Sequence, residues 1–203
     1  METVSIQLQR NLNTNILPYY NMKIFITGPS NIDKLSIAKR LVEINDDLSI
    51  GSHFTNDIQY KDVTDDEYIY YLSTQDVDLT YKNNFVLFVN TDNYISSGIT
   101  MDSYYNNDVF IMSMCEFNNI SNVIFNNENE YIITVWLDAV YDKNNEHFNE
   151  DVIESKFFQE RLNVDNIKFL YFYNEDINTI CNTIISYINA DEEERIKIFD
   201  ENN

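Results

Sequence analysis

The segment Met22–Arg40, MKIFITGPSNIDKLSIAKR, constrains this chain more than any other. Lys23 to Thr27 is a short apolar run that stops at Gly28-Pro29-Ser30, a turn signal. Lys34-Leu35-Ser36 then opens a helical pattern, with Ile37, Leu41, Val42 and Ile44 at helical spacings up to about Asn45. A strand that ends at glycine and runs so soon into a helix must turn tightly there and present the free N–H groups of that helix. The spacing outlines a phosphate-binding loop. In such a loop backbone N–H groups cradle phosphate oxygens, a lysine reaches the β/γ-phosphates and a hydroxyl helps to hold Mg²⁺. Asn31 and Asp33 stand where that pattern has glycines, and Leu35 takes the slot directly after the lysine.

The charges in this loop pull in opposite directions. A cation at a helix N-terminus opposes the helix dipole, so Lys34 is easier to explain with an anion nearby than as an ordinary helix lysine. Asp33 is a good N-cap, but its carboxylate faces the phosphates the loop would hold, which points to a repurposed or weakened site. Gly28 is one of three glycines in the chain, and reads either as part of the loop or as a plain strand-ending turn.

Further along, Leu48–Phe54, Tyr68–Leu72, Phe85–Val89, Asp108–Met112, Ile132–Leu137 and Phe169–Tyr173 read as strands, with Asp108–Met112 apolar enough to be central and covered on both faces. Asp151–Leu162 can form a helix, and Ile177–Asn189 is a closing helix with Ile180, Ile184, Ile185 and Ile188 inward. Strands separated by helices predict an α/β domain with a mainly parallel sheet. Residues 1–21 form an N-terminal extension, in which Val4, Ile6 and Leu8 alternate like a short edge strand. Residues 22–189 form the compact domain, and 190–203 an acidic C-terminal tail whose charge run Asp191–Glu194 reads as a solvated face. The Asn-rich stretch 118–129 reads as a loop.

With 203 residues and 44% hydrophobic content, the chain is long enough for one well-packed domain. A net charge of −21 argues against binding nucleic acid or an anionic membrane, both of which attract Lys and Arg. Cys115 and Cys181 both lie in apolar runs and read as buried thiols, which fits a reducing, cytoplasmic compartment. No apolar run approaches the roughly 20 residues of a membrane span, and METVSIQLQR lacks the features of a signal peptide. Abundant Asn, Ile, Tyr, Phe and Asp fit an AT-rich genome, such as that of a large DNA virus or a protist, in which case host cytoplasm or virion is the expected location.

The words GPSNIDKLS resemble the GPSGxGKxT loop of guanylate kinases, and the resemblance extends over roughly 22–189. Ser52-His53-Phe54-Thr55-Asn56 is similar to that family's S-H-T-T-R. Glu67–Ser73 resembles the aromatic strand that follows it, Asn93–Gly98 its N-Y-Y-G-T/S turn, and Asn174-Glu175-Asp176 its N-D-D. The resemblance implies a P-loop NTPase three-layer sandwich with an inserted monophosphate-binding region at about 52–100 and a lid-like region at about 138–165. It also implies ATP and Mg²⁺ as cofactors. Gly28, Pro29, Ser30, Asn31 and Asp33 then surround the ATP with Asn174, Lys34 meets its β/γ-phosphates, and Ser36 supplies the hydroxyl to the metal. His53, Thr55 and Tyr94 lie near the acceptor nucleotide, and Arg161 closes over the transferred phosphoryl.

The departures from that family concern chemistry. Asn56 replaces the arginine that pairs with the acceptor's phosphate, Leu87 sits near the place of a base-reading glutamate, and the nearest acid to the expected Mg²⁺-linked aspartate is Glu116, offset by two. Only four arginines occur, Arg10, Arg40, Arg161 and Arg195, and of these Arg161 alone falls in the lid-like region. An arginine that stabilises transition-state charge is worth roughly 10³ to 10⁵ in rate, so the sequence predicts impaired or lost catalysis. Two functions remain open: a nucleoside monophosphate kinase-like protein that binds ATP or another nucleotide, and a non-catalytic interaction or virion structural module whose acidic surface selects a basic protein partner. His53 reads as packed or hydrogen-bonded rather than as a base, and His147 as inert. Tyr70, Tyr71, Tyr94, Tyr104 and Tyr105 either cover core or stack on a base, and Trp136 reads as packing.

Overall fold

The computed structural model describes residues 22–29, 32–58, 61, 68–77, 85–90, 95–113, 116, 131–138, 144 and 167–201. In chain order these form β1 (Met22–Thr27), α1 (Lys34–Ile44), β2 (His53–Thr55), β3 (Ile69–Tyr71), a single turn α2 (Thr74–Asp76), β4 (Phe85–Asn90), β5 (Ser96–Thr100), α3 (Met101–Asn106), β6 (Val109–Ile111), β7 (Tyr131–Asp138), β8 (Ile167–Tyr173), α4 (Ile177–Asn189) and α5 (Glu192–Glu201). The expectations for 1–21, for the loop at 118–129, for the helix at 151–162 and for nearly all of the lid-like region lie outside the described residues.

The first sheet has the order β6-β1-β7-β8 and every pair in it is parallel. Ile24 faces Val109 on one side and Ile133 on the other. All six residues of β1 are buried, so the strand is covered on both faces, as its unbroken apolar run requires. Alternation sorts its side chains. Met22, Ile24 and Ile26 join Ile37, Ala38 and Leu41 of α1 and Ile180, Ile184 and Ile188 of α4 in the main core. On the opposite face Phe25 meets the ring of Phe110, which stacks on Tyr104 of α3. Lys23 is buried there too, its Nζ donating to the Asn107 carbonyl at 2.6 Å and lying over the Tyr104 ring. Because the sheet is parallel, the carboxyl ends of its strands share one edge, where ligands of such sheets bind.

The second sheet, β3-β2-β5-β4, is mixed: β2 runs parallel to β3 and antiparallel to β5, and β4 runs antiparallel to β5. It explains a departure from the sequence reading. The stretch Leu48–Phe54, expected as one strand, is divided between the two sheets. Ile50 makes a lone parallel bridge to Val109, while His53–Thr55 belongs to the second sheet. Gly51 lies at the crossover against the Phe110 ring, and a Cβ there would come within 2.1 Å of Phe110 Cε1. β6 also differs from expectation. It is fully buried at Val109 and Phe110, but among the described residues it ends the ladder beyond β1, with the Ile50 bridge on its far side.

In the acidic tail, residues 192–201 are helical; Asp191, Glu193 and Glu194 are exposed, whereas Arg195 is buried. Its Nε donates to the Tyr187 carbonyl and its guanidinium to the Ile188 carbonyl, both at 3.0 Å. These are the carbonyls a helix end leaves without intrahelical partners, so Arg195 closes α4 while Glu193 and Glu194 remain exposed. No helix among the described residues is long and apolar enough to cross a membrane.

Candidate functional site

The loop between β1 and α1 folds around Lys34. Its ammonium donates to the carbonyls of Pro29 (2.7 Å) and Gly28 (3.2 Å), with that of Ile32 at 3.5 Å. Ile32 N–H returns to the Pro29 carbonyl at 3.3 Å, making a tight turn. Gly28 is required by geometry: its φ is +154°, and a Cβ would lie 2.4 Å from the Leu137 carbonyl oxygen of β7. The glycine therefore lets the loop leave the sheet edge in contact with the neighbouring strand. Just before it, Thr27 is fully buried and its Oγ1 has no hydrogen-bond partner.

Asp33 caps α1. Its Oδ1 accepts the Ser36 N–H at 3.0 Å and its Oδ2 the Ser36 hydroxyl at 2.5 Å. These two bonds hold the Asp33 carboxyl below the usual carboxylate range, helped by the charges of Lys34 and Lys39. Asp33 is exposed at the mouth of the loop, and the first turn of α1 contains no other acid. Ser30 and Asn31 lie outside the described residues.

A second polar cluster sits where the carboxyl end of β6 meets the second sheet. Glu116 Oε2 accepts the Ser113 N–H at 2.8 Å and the Ser113 hydroxyl at 3.1 Å, and the Glu116 N–H donates to Ser113 Oγ at 3.1 Å. Glu116 Oε1 accepts the Ser97 hydroxyl from β5 at 3.0 Å. His53 begins β2, with its Nε2 sealed from solvent and without a hydrogen-bond partner. Burial pushes the His53 pKa down, and the nearby Glu116 charge offsets part of that shift. Glu116, noted in the sequence only as an offset acid, thus ties the segment after β6 to β5 of the second sheet. The readable signal was the Ser113-x-x-Glu116 spacing of a capping box.

The remaining candidates are more dispersed. Thr55 is buried, and its Oγ1 accepts the Asp57 N–H at 3.2 Å. Asn56 is buried as well: Oδ1 accepts the Ser96 N–H at 2.6 Å and Nδ2 donates to Thr74 Oγ1 at 3.3 Å. Asn174 is exposed after β8 with φ 54°, two strands away from β1 in the sheet. It leads into Asp176, which caps α4 through Asn178 and Thr179. Tyr94 and Arg161 lie outside the described residues. Arg40 pairs with Glu43 at 2.9 Å and reaches Asn178 on the exposed side of α1. Of the tyrosines, Tyr104 is core, whereas Tyr105 is mostly exposed.

No protein-family model and no curated relative matches the sequence. Among solved structures, guanylate kinase from Anaplasma phagocytophilum is similar, with a TM-score of 0.56 at 11% identity over 83% of this chain and 85% of that one. The fold is guanylate-kinase-like. At that identity the likeness is one of architecture, an α/β domain built on a parallel sheet. In this guanylate-kinase-like frame, Lys34 and Asp33 lie together at the loop after β1, and the Glu116 charge acts on the buried His53 ring where the second sheet joins the first.

Proposed function

We propose that this chain is a guanylate-kinase-like nucleotide-binding protein in which phosphoryl transfer is slowed or lost. The observation that carries the reading is the seat of Lys34. Its ammonium lies at the N-terminus of α1 inside a loop that leaves the parallel sheet at its carboxyl edge. The residues present fit the phosphates of ATP. Lys34 supplies the charge, α1 supplies N–H groups, and Thr27 Oγ1 is a buried, unpartnered polar atom at the base of the loop. Ser36 Oγ donates a hydrogen bond to Asp33 Oδ2 and would keep its lone pairs for Mg²⁺, an ion that retains several waters and needs few protein ligands. When bound, the triphosphate supplies the transferable phosphoryl group. Lys34 orients its terminal phosphates, His53 and Thr55 border the acceptor side, and Arg161 is the arginine left for transition-state charge.

The reading of weak or absent turnover is supported by Asn56. At the position where guanylate kinases have a phosphate-pairing arginine, its amide is buried and engaged with Ser96 and Thr74. The same observation favours a second reading, a non-catalytic interaction module that keeps the fold and binds a basic partner with its acidic surface.

Calorimetric titration with ATP, with and without Mg²⁺, on the wild type and on Lys34→Ala separates the two. The nucleotide-binding reading expects heat of binding that Lys34→Ala removes, and silence at millimolar ATP overturns it. A panel of nucleoside and deoxynucleoside monophosphates, assayed for ADP release, then measures turnover. Rapid ADP release with any acceptor overturns the claim of lost catalysis.

A further inference from the structure

We propose that Asp33 is an internal carboxylate that occupies the anion-binding end of α1, so that a polyphosphate must displace or tolerate it before seating against Lys34. This rests on the nucleotide-binding reading above and adds a built-in competitor to it.

The side-chain donors of Lys34 and Ser36 and the Ser36 N–H already hold oxygens from the chain. The Ser36 N–H and hydroxyl are both on the Asp33 carboxylate, and the Lys34 ammonium is on the carbonyls of Gly28 and Pro29. A phosphate brings the same chemistry, anionic oxygens that accept from N–H and O–H groups. It would therefore compete for the same donors and meet a like charge at the mouth of the loop. The carboxylate is ionised, exposed and directly adjacent to Lys34 in the chain, so its charge faces an incoming anion. A glycine at this position would offer no side-chain oxygen, and the N-terminus of α1 would stay open to an external anion.

The test is equilibrium binding of inorganic tripolyphosphate and of ATP, by calorimetry without Mg²⁺, on the full chain. The proteins are wild type, Asp33→Asn, Lys34→Ala and the double variant. Asparagine is as good an N-cap as aspartate, so Asp33→Asn removes the charge and keeps the helix start, which circular dichroism melts verify. The expected result is binding about tenfold tighter for Asp33→Asn than for wild type, lost again in the double variant. A wild type silent at millimolar ATP overturns the nucleotide-binding reading and this proposal with it. If the wild type binds, Lys34→Ala weakens it and Asp33→Asn binds no tighter, the competitor is overturned while the nucleotide-binding reading stands. If no variant binds either ligand, or if all bind alike, both are overturned.

Discussion

The side-chain amide of Asn56 joins β2 to β5 by accepting the Ser96 N–H at 2.6 Å. Its other end donates to Thr74, so one buried side chain ties two strands to the short helix beside them. Replacing it with alanine removes both of these side-chain bonds. Asn56→Ala is expected to lose about 1–3 kcal/mol of unfolding free energy in urea titration. Asn56→Arg, which puts back a cation, is expected to be no more stable than the alanine variant, because the guanidinium has no acceptor oxygen for Ser96. An unchanged midpoint in either variant contradicts this account of Asn56.

Arg195 closes α4 from the following helix. Arg195→Met keeps much of the apolar stem but removes both bonds to the Tyr187 and Ile188 carbonyls. A stability loss of about 2–3 kcal/mol is expected in thermal or urea unfolding. Arg195→Lys should recover little of it, since a point-like ammonium does not reproduce the guanidinium fork. Full recovery by lysine would show that charge alone is what α4 needs.

The glycines at 28 and 51 are expected to respond differently. At Gly28 alanine meets both a positive φ and a backbone oxygen of β7 that cannot turn aside. At Gly51 it meets the edge of the Phe110 ring, a side chain able to shift at the expense of core packing. Gly51→Ala should cost about 1–3 kcal/mol and Gly28→Ala more. The order of the two midpoints in urea is the measurement, and the reverse order would mean that the turn at Gly28 rearranges freely.

His53 makes the joint between the sheets sensitive to acid. Burial lowers its pKa beneath the ordinary 6.5, so the unfolded chain takes up a proton in a range where the folded chain does not. Stability from this group is therefore fully present above 6.5 and declines as pH falls below it toward the depressed value. Urea midpoints measured from about pH 7 to about pH 5 should fall for the wild type and fall less for His53→Leu. Glu116→Gln removes the neighbouring charge that favours the protonated ring, so its midpoints should fall more steeply. Equal slopes for all three proteins would remove His53 from the acid response.

The parts of this fold that were legible in the sequence are those whose signals are local. α1 and α4 declared themselves by apolar spacing, and the Asp33 cap by residue type at the helix start. β1 was legible because burial on both faces leaves an uninterrupted apolar run. The division of Leu48–Phe54 was not, since it depends on Phe110 approaching Gly51 from far along the chain. The burial of Arg195 was not legible for a similar reason: the acids before it are exposed, and its partners are carbonyls on another helix. In the candidate site, Lys34 and Asp33 could be located from spacing alone. The link from Glu116 to Ser97 could not, because it joins two segments that no local pattern relates.

The loop after β1 is held at its two ends, by Gly28 against Leu137 and by Asp33 on Ser36. Neither anchor needs a phosphate. Natural selection for folding alone would preserve both while leaving the intervening positions free to drift. A loop anchored by a glycine and a capping carboxylate can therefore keep this shape whether or not it holds an anion, and the shape by itself speaks for architecture rather than for phosphoryl transfer.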